Sequence, residues 1–214
     1  SYENFMVGDG RAISMVTQGI TTAILGEGST PAPVNDRILA LETDSATRAL
    51  VSRFDGTHGF TDWLDHMVLR GASQNIGSFI GNGTVRVYGK GGAMGPATAA
   101  ELDTMRAVVR RAMEDGAFGI ASALIYPPNT YASTEELIEV NRAAAPYGGV
   151  YITHMRSEGD KFLEAMDEAI RIGREAGVPV EIYHLKASGV RNWPKMDQAI
   201  AKIDSARAVG QDVQ

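Results

Sequence analysis

Hydrophobic and polar positions fall into short blocks that alternate between two periods. Gly19 to Gly26 (Gly-Ile-Thr-Thr-Ala-Ile-Leu-Gly) is a β-branched apolar run closed by glycine, which predicts a buried strand. A short helix, Arg11 to Gln18, is expected before it, and a Gly/Pro loop, Glu27 to Asp36, after it. Ile38 to Gly56 is ambiguous and is read as helical. Phe60 to Arg70 predicts a helix carrying Trp63, Leu64 and Met67, and Asn75 to Gly81 predicts a second short strand.

From there the rhythm is regular. Thr98-Ala-Ala-Glu101 is a capping-box sequence opening a helix to about Asp115, with Leu102, Met105, Val109 and Ala112 on one face and Gly116 as its stop. Phe118 to Leu124 reads as a strand. Ser133-Thr-Glu-Glu136 is a second capping-box sequence, opening a helix to about Pro146. Val150 to His154 is the next strand, and Gly159 to Ala176 a helix with a stripe of Phe162, Met166, Ile170 and Gly173. Val178 to His184 is a further strand. Asn192 is expected to cap a last helix that has Pro194 in its first turn and Met196, Ile200 and Ile203 on its buried face.

Strands alternating with helices at least five times predict an α/β fold with a parallel sheet. An open doubly wound sheet and a closed (β/α)8 barrel both satisfy that alternation. No Gly-x-Gly-x-x-Gly follows the first strand, which counts against dinucleotide binding. Polar residues instead collect at the C-terminal ends of several strands, as in a TIM barrel. A complete barrel needs about 250 residues, and this chain has 214, stopping where a new strand should begin. The expectation is an incomplete barrel, one partial domain over 1–214.

Composition narrows the function classes. The chain carries 20 Lys and Arg against 26 Asp and Glu, a net charge of -6, and no basic cluster. Nucleic acid is therefore not an expected partner. No run approaches the roughly 18 apolar residues of a membrane span, so no membrane partner is expected and a cytoplasmic location is the default. Cysteine is absent, which excludes disulfides, thiolate metal sites and a cysteine nucleophile. No Gly-x-Ser-x-Gly elbow occurs either. If the protein is a hydrolase, the expected nucleophile is a water activated by a metal.

The candidate chemistry centres on two histidines. His154 ends the strand Tyr151-Ile152-Thr153, and thirty residues later His184 follows Val180-Glu181-Ile182-Tyr183. Either one alone is more often a strand-end histidine satisfied by a carbonyl. Two at matching places in successive βα units point to metal ligands. Such ligands need a second acceptor, and Glu158 and Glu181 are near in sequence. Glu27 follows the first strand at the same end, either as a solvated carboxylate or as an oxygen ligand. Arg156 and Lys186 each lie two residues past a histidine, as loop charges or as anchors for an anionic substrate group. Tyr126, in Ile-Tyr-Pro-Pro, ends a strand and is either packed on proline or a donor to a substrate carboxylate. Asn82 is placed on the same rim, while His58 and His66 are expected in solvent.

A set of segments resembles the N-acyl-D-amino-acid deacylases (D-aminoacylases) of the amidohydrolase superfamily. They are Val16 to Thr22, Gly26-Glu27, Pro31-Ala32-Pro33, Asn75-Ile76-Gly77, Gly83 to Arg86, Ala112 to Gly119, Tyr126-Pro127-Pro128, Tyr131-Ala132, Tyr147-Gly148-Gly149, His154 to Gly159, His184-Leu185-Lys186 and Asn192-Trp193. The resemblance runs from about residue 8 to the end. It implies a (β/α)8 TIM barrel of the amidohydrolase type, here about strands 2 to 6 and the start of 7. It also implies one or two zinc ions and hydrolysis of the N-acyl amide bond of an N-acyl-D-amino acid, a small-molecule substrate. By it, His154 and His184 match metal ligands on barrel strands five and six, and Tyr126 matches a tyrosine that contacts the substrate carboxylate. The sequence departs from the pattern in three places. A first-strand His-x-His would precede Ser1, and the catalytic Asp would lie beyond Gln214, so no catalytic residue is expected in this chain. Glu27 stands near a ligating Cys of many members, offset by about one residue. The other readings are a dihydroorotase- or hydantoinase-like cyclic amidase and a non-catalytic barrel remnant.

Overall fold

A computed structural model describes residues 8–56 and 58–214. Its centre is a parallel sheet. Strand β1 is Thr22–Leu25, β2 Asn75–Ser78, β3 Ile80–Gly81, β4 Gly119–Ala123, β5 Val150–His154 and β6 Val180–Ile182. β1 pairs with β2, and β3, β4, β5 and β6 pair in that order, all parallel. Phe79, between β2 and β3, joins the two parts: its N–H donates to the Leu25 carbonyl at 3.0 Å, while Phe118 N–H donates to Ser78 at 3.0 Å. The last residues pair with β6, Val180 N–H donating to Asp212 and Ile182 N–H to Gln214, so the sequence closes on a further parallel pairing.

The α-helices among the described residues are α1 (Ile13–Val16), α2 (Asp36–Leu39), α3 (Ser45–Val51), α4 (Gly59–Arg70), α5 (Asn82–Lys90), α6 (Ala99–Glu114), α7 (Thr134–Arg142), α8 (Phe162–Ala176) and α9 (Met196–Ala208). Among the described residues no helix is long and apolar enough to cross a membrane.

Alternation along the strands sorts their side chains. In β5, Tyr151 packs with Leu137, Phe162 and Met166 of the helical layer. Ile152 packs on the opposite face with Phe79 and Ala121. The N-terminal half has its own core, built on Phe60, Trp63, Met105, Val109 and Ile120. α6 starts as expected: Thr98 Oγ1 accepts from Glu101 N–H at 3.3 Å and Glu101 Oε2 accepts from Thr98 N–H at 2.7 Å.

Four expectations are corrected. Ser133 caps α7, accepting from Glu136 N–H at 3.1 Å, but the Glu136 carboxylate does not turn back to the cap. It takes Arg86 instead, whose Nη1 donates to Oε2 at 2.6 Å, while Arg86 Nη2 donates to the Gly95 carbonyl at 2.6 Å. An internal ion pair outcompetes a local hydrogen bond that water could replace. Asn192 sits in a 3-10 turn, Val190–Lys195, donating to Ser188; α9 begins after it without a side-chain cap. Its buried face is Ala199, Ile203 and Ala206, with Ile200 half exposed. His66 is half-buried, not fully solvated: it packs edge-on against Phe54, with ring centroids 5.7 Å apart. Helix α5 was not expected at all.

Arg86 and Glu136 are both buried, and removing one partner strands the other charge in the core. Glu136→Ala is expected to cost about 3–5 kcal/mol, measured by denaturant unfolding; a loss below about 1 kcal/mol would show that Arg86 finds water or a second acceptor.

Tyr151 gives a second test. Its phenol is buried, hydrogen-bonded to Ser122 Oγ at 2.8 Å, and burial pushes its pKa up to about 12 from 10.0. Below pH 10 the phenol is neutral folded or unfolded, so the stability it confers is complete. Between about 10 and 12 the unfolded chain ionises first, and stability falls by roughly 1.4 kcal/mol per pH unit. The loss between pH 9 and 11 should be about that much smaller in Tyr151→Phe, and equal losses would mean that Tyr151 ionises within the fold.

Candidate metal centre

The C-terminal ends of β1, β4, β5 and β6 converge, and Glu27, His154 and His184 meet there. Glu27 Oε1 lies 3.4 Å from His154 Nδ1 and 3.6 Å from His184 Nε2. The two imidazoles stand nearly perpendicular, centroids 4.6 Å apart. His154 is buried, and the other two are partly open to solvent. Donors bonded tetrahedrally to zinc at about 2.0–2.1 Å are about 3.4 Å from one another. Both separations from Glu27 are close to that value, and two imidazoles with a carboxylate are a donor set zinc accepts.

Each member arrives by a different backbone route. His154 is inward by simple alternation, on the same side of β5 as Ile152. His184 is not. Thr153 pairs with Ile182, so the residue opposite His154 is Tyr183, and His184 would face the helices if β6 ran on. The strand breaks instead. His184 takes φ 38, a left-handed conformation a non-glycine residue seldom adopts. Its ring then stacks on that of its neighbour Tyr183, 25° between planes, where strand geometry would have sent the two to opposite faces. Burial, with Glu27 and Glu181 adding, pushes the Tyr183 phenol up to about 12.

Glu27 is held by the loop after β1. The Gly28 carbonyl accepts from Gly83 N–H at 2.8 Å and Asn129 Nδ2 at 3.1 Å. Asn82 Nδ2 donates to Asn129 Oδ1 at 3.2 Å, and Thr30 N–H donates to Thr84 Oγ1 at 2.8 Å. Asn82, Gly83 and Thr84 are the first turn of α5: one of its free N–H groups, that of Gly83, and the Thr84 hydroxyl are used on the loop, while the Asn82 side chain braces Asn129. Asn82 is therefore buried beneath the loop, not on the rim. Gly28 has φ +72, and a Cβ there would meet the Ala123 Cβ at 2.7 Å.

The other candidates divide. Tyr126 is more than half exposed, its ring edge-on to His154 at 5.5 Å. Lys186 Nζ lies 3.0 Å from His184 Nδ1 and also pairs with Glu158. Arg156 is outside the cluster. Its guanidinium donates to Glu168 Oε2 at 2.9 Å, to the Thr130 carbonyl at 3.0 Å and to the Ala132 carbonyl at 2.9 Å. It holds the segment after Tyr126, using four of its five donors on Glu168 and these two carbonyls. His58 pairs with Asp115, Nδ1 to Oδ1 at 2.7 Å, far along the fold from the cluster. Of the two acidic neighbours weighed in sequence, Glu158 adjoins both histidines, 3.2 Å from His184 Nδ1 and 3.7 Å from His154 Nε2. The role of Asn129 was missed. Its sequence context, a turn after Pro-Pro, marks a loop residue and carries no hint that it grips a loop a hundred residues away.

No protein-family model matches this sequence. The D-aminoacylase of Alcaligenes xylosoxydans xylosoxydans is 36% identical over 194 residues, 90% of this chain and 40% of that enzyme. A solved D-aminoacylase, studied for its binuclear metal centre, superposes with a TM-score of 0.85 at 33% identity, over 99% of this chain and 44% of its own. Over nearly its whole length the chain is similar to D-aminoacylases. An N-acyl-D-glutamate deacylase from Bordetella bronchiseptica, solved with zinc and a phosphonate inhibitor, also superposes: TM-score 0.83, 27% identity, 98% of this chain and 44% of that one. The parallel sheet with its intervening helices is thus a set of consecutive units of the amidohydrolase (β/α) barrel. The chain spans about two-fifths of the length of the D-aminoacylase it matches.

Gly28→Ala puts a side chain into a left-handed backbone costing about 1–2 kcal/mol and into contact with Ala123. The expected outcome is a loss of at least that size in denaturant unfolding, with weaker metal binding because Glu27 moves with the loop. Unchanged stability and metal affinity would show that the loop does not depend on this turn.

Proposed function

We propose that the full-length protein is a metal-dependent hydrolase that removes the acyl group from N-acyl-D-amino acids. The observation that carries it is the convergence of Glu27, His154 and His184, with one carboxylate oxygen at nearly equal distance from the facing nitrogens of both rings. Its relatives support the substrate class: one is a D-aminoacylase, another an N-acyl-D-glutamate deacylase solved with zinc. The two histidines and Glu27 would hold zinc, as one ion or two. Bound there, zinc would supply polarisation of the acyl carbonyl and activation of water for attack on it.

This chain's own residues do the rest of the binding. Lys186 and the exposed Tyr126 flank the histidines, and an ammonium with a phenol suits the carboxylate of an amino acid. Arg156 supports Tyr126 from behind by fixing the 130–132 segment. The proton shuttle is assigned to an aspartate outside these 214 residues, as the resemblance implies. The segment alone is accordingly expected to be inactive on N-acetyl-D-amino acids.

The test uses the full-length protein. It should release the free amino acid from N-acetyl-D-amino acids in preference to N-acetyl-L-amino acids. His154→Ala should lower zinc content and reduce kcat/KM by roughly a hundredfold or more. Zinc content unchanged in both His154→Ala and His184→Ala would remove the metal centre. Hydrolysis of cyclic imides without any deacylation would transfer the protein to the cyclic amidases.

A further inference from the structure

Behind the two histidines, on the side away from Glu27, a single carboxylate oxygen faces both. Glu158 Oε1 lies 3.2 Å from His184 Nδ1 and 3.7 Å from His154 Nε2. Its side chain is only 12% exposed, and its backbone is fixed across the rim, its carbonyl accepting from Ser188 N–H at 2.7 Å. His154 Nε2 is buried and has no hydrogen-bond partner in this arrangement, so the nearby carboxylate is the group in position to relieve it. Thus each ring presents one nitrogen to Glu27 and the other to Glu158, but with opposite nitrogens: Nδ1 of His154 and Nε2 of His184 face Glu27.

A neutral imidazole carries its proton on one nitrogen and a lone pair on the other, and a carboxylate only accepts. Glu158 therefore demands N–H from both rings on its side, which turns both lone pairs towards Glu27. We infer that Glu158 is the shared positioning residue of the metal centre: it holds His154 as the Nε2–H form and His184 as the Nδ1–H form. This rests on the zinc-site reading above. Lys186 makes the alternative explicit. Its Nζ is 3.0 Å from the same His184 Nδ1. If that nitrogen accepted from Lys186, the ring proton would sit on Nε2, against Glu27, and no lone pair would face the centre. An ammonium can spend its protons on Glu158 and on a substrate, whereas Nδ1 can serve only one neighbour. Glu158 thus has a second effect, keeping Lys186 at the rim while denying it His184.

The test is zinc affinity of the full-length protein by chelator competition, with the nitrogen shifts of selectively labelled histidines in the zinc-loaded protein. Glu158→Gln keeps the shape and removes the charge, and should weaken zinc binding by roughly 10- to 100-fold. Lys186→Met removes the other partner of Glu158 and should leave zinc affinity within about threefold. The labelled protein should show His154 bound through Nδ1 and His184 through Nε2, each with its proton on the opposite nitrogen. Unchanged affinity in Glu158→Gln, an equal loss in Lys186→Met, or ligation through the same nitrogen on both rings would overturn the inference. If His154→Ala and His184→Ala also leave zinc in place, it is the metal-site reading that fails.

Discussion

The carbonyl of Gly28 is the constraint on which the rest of the centre depends. It accepts from a helix N-terminus and from the Asn129 amide, so one oxygen ties the loop after β1 to α5 and to the turn after β4. Without it Glu27 would sit on a Gly-rich segment with many conformations and a large entropy to lose on binding a cation. With it, the first turn of α5 uses a donor, the Gly83 N–H, that no helix can satisfy internally. The carboxylate is pre-positioned at no cost to the sheet.

Two arginines show the same logic with charge. Arg86 in the interior and Arg156 near the rim each meet one glutamate and backbone carbonyls of a loop. A guanidinium has five donors in a fixed plane, so it can bind a carboxylate and fasten irregular backbone at once. The loop at Gly95 and the segment at 130–132 are held this way. The loops thereby gain rigidity, though their backbone forms no ladder of its own.

Much of this was legible from residue order because it follows from local rules. The strands ending at Ala123 and His154, the Thr98 cap and the stripe of α8 come from periodicity and capping chemistry, which act over a few residues. The convergence of Glu27, His154 and His184 was readable for a related reason: parallel units place all strand C-termini at one end. What stayed hidden was decided by distant partners. Helix α5 is rich in glycine and β-branched residues, poor helix formers, and exists because tertiary packing buries it on most faces. Glu136 follows a cap signature yet is taken by an arginine fifty residues away. Arg156 stands two residues from a histidine and yet belongs to another network. The two histidines also looked equivalent in spacing, and they are not, because spacing does not reveal where a strand stops.

That break at His184 separates two demands that usually compete. In an unbroken strand, the face a residue presents is fixed by counting, so every packing residue before it also sets its direction. A left-handed residue at the strand end resets the count. Val180 and Ile182 can answer only to the helices behind them, and His184 only to the centre in front. Such a hinge in the backbone lets one segment serve a rigid scaffold and a polar rim separately, and it would make position 184 intolerant on two grounds: the imidazole proposed to serve the metal and the left-handed turn it accepts.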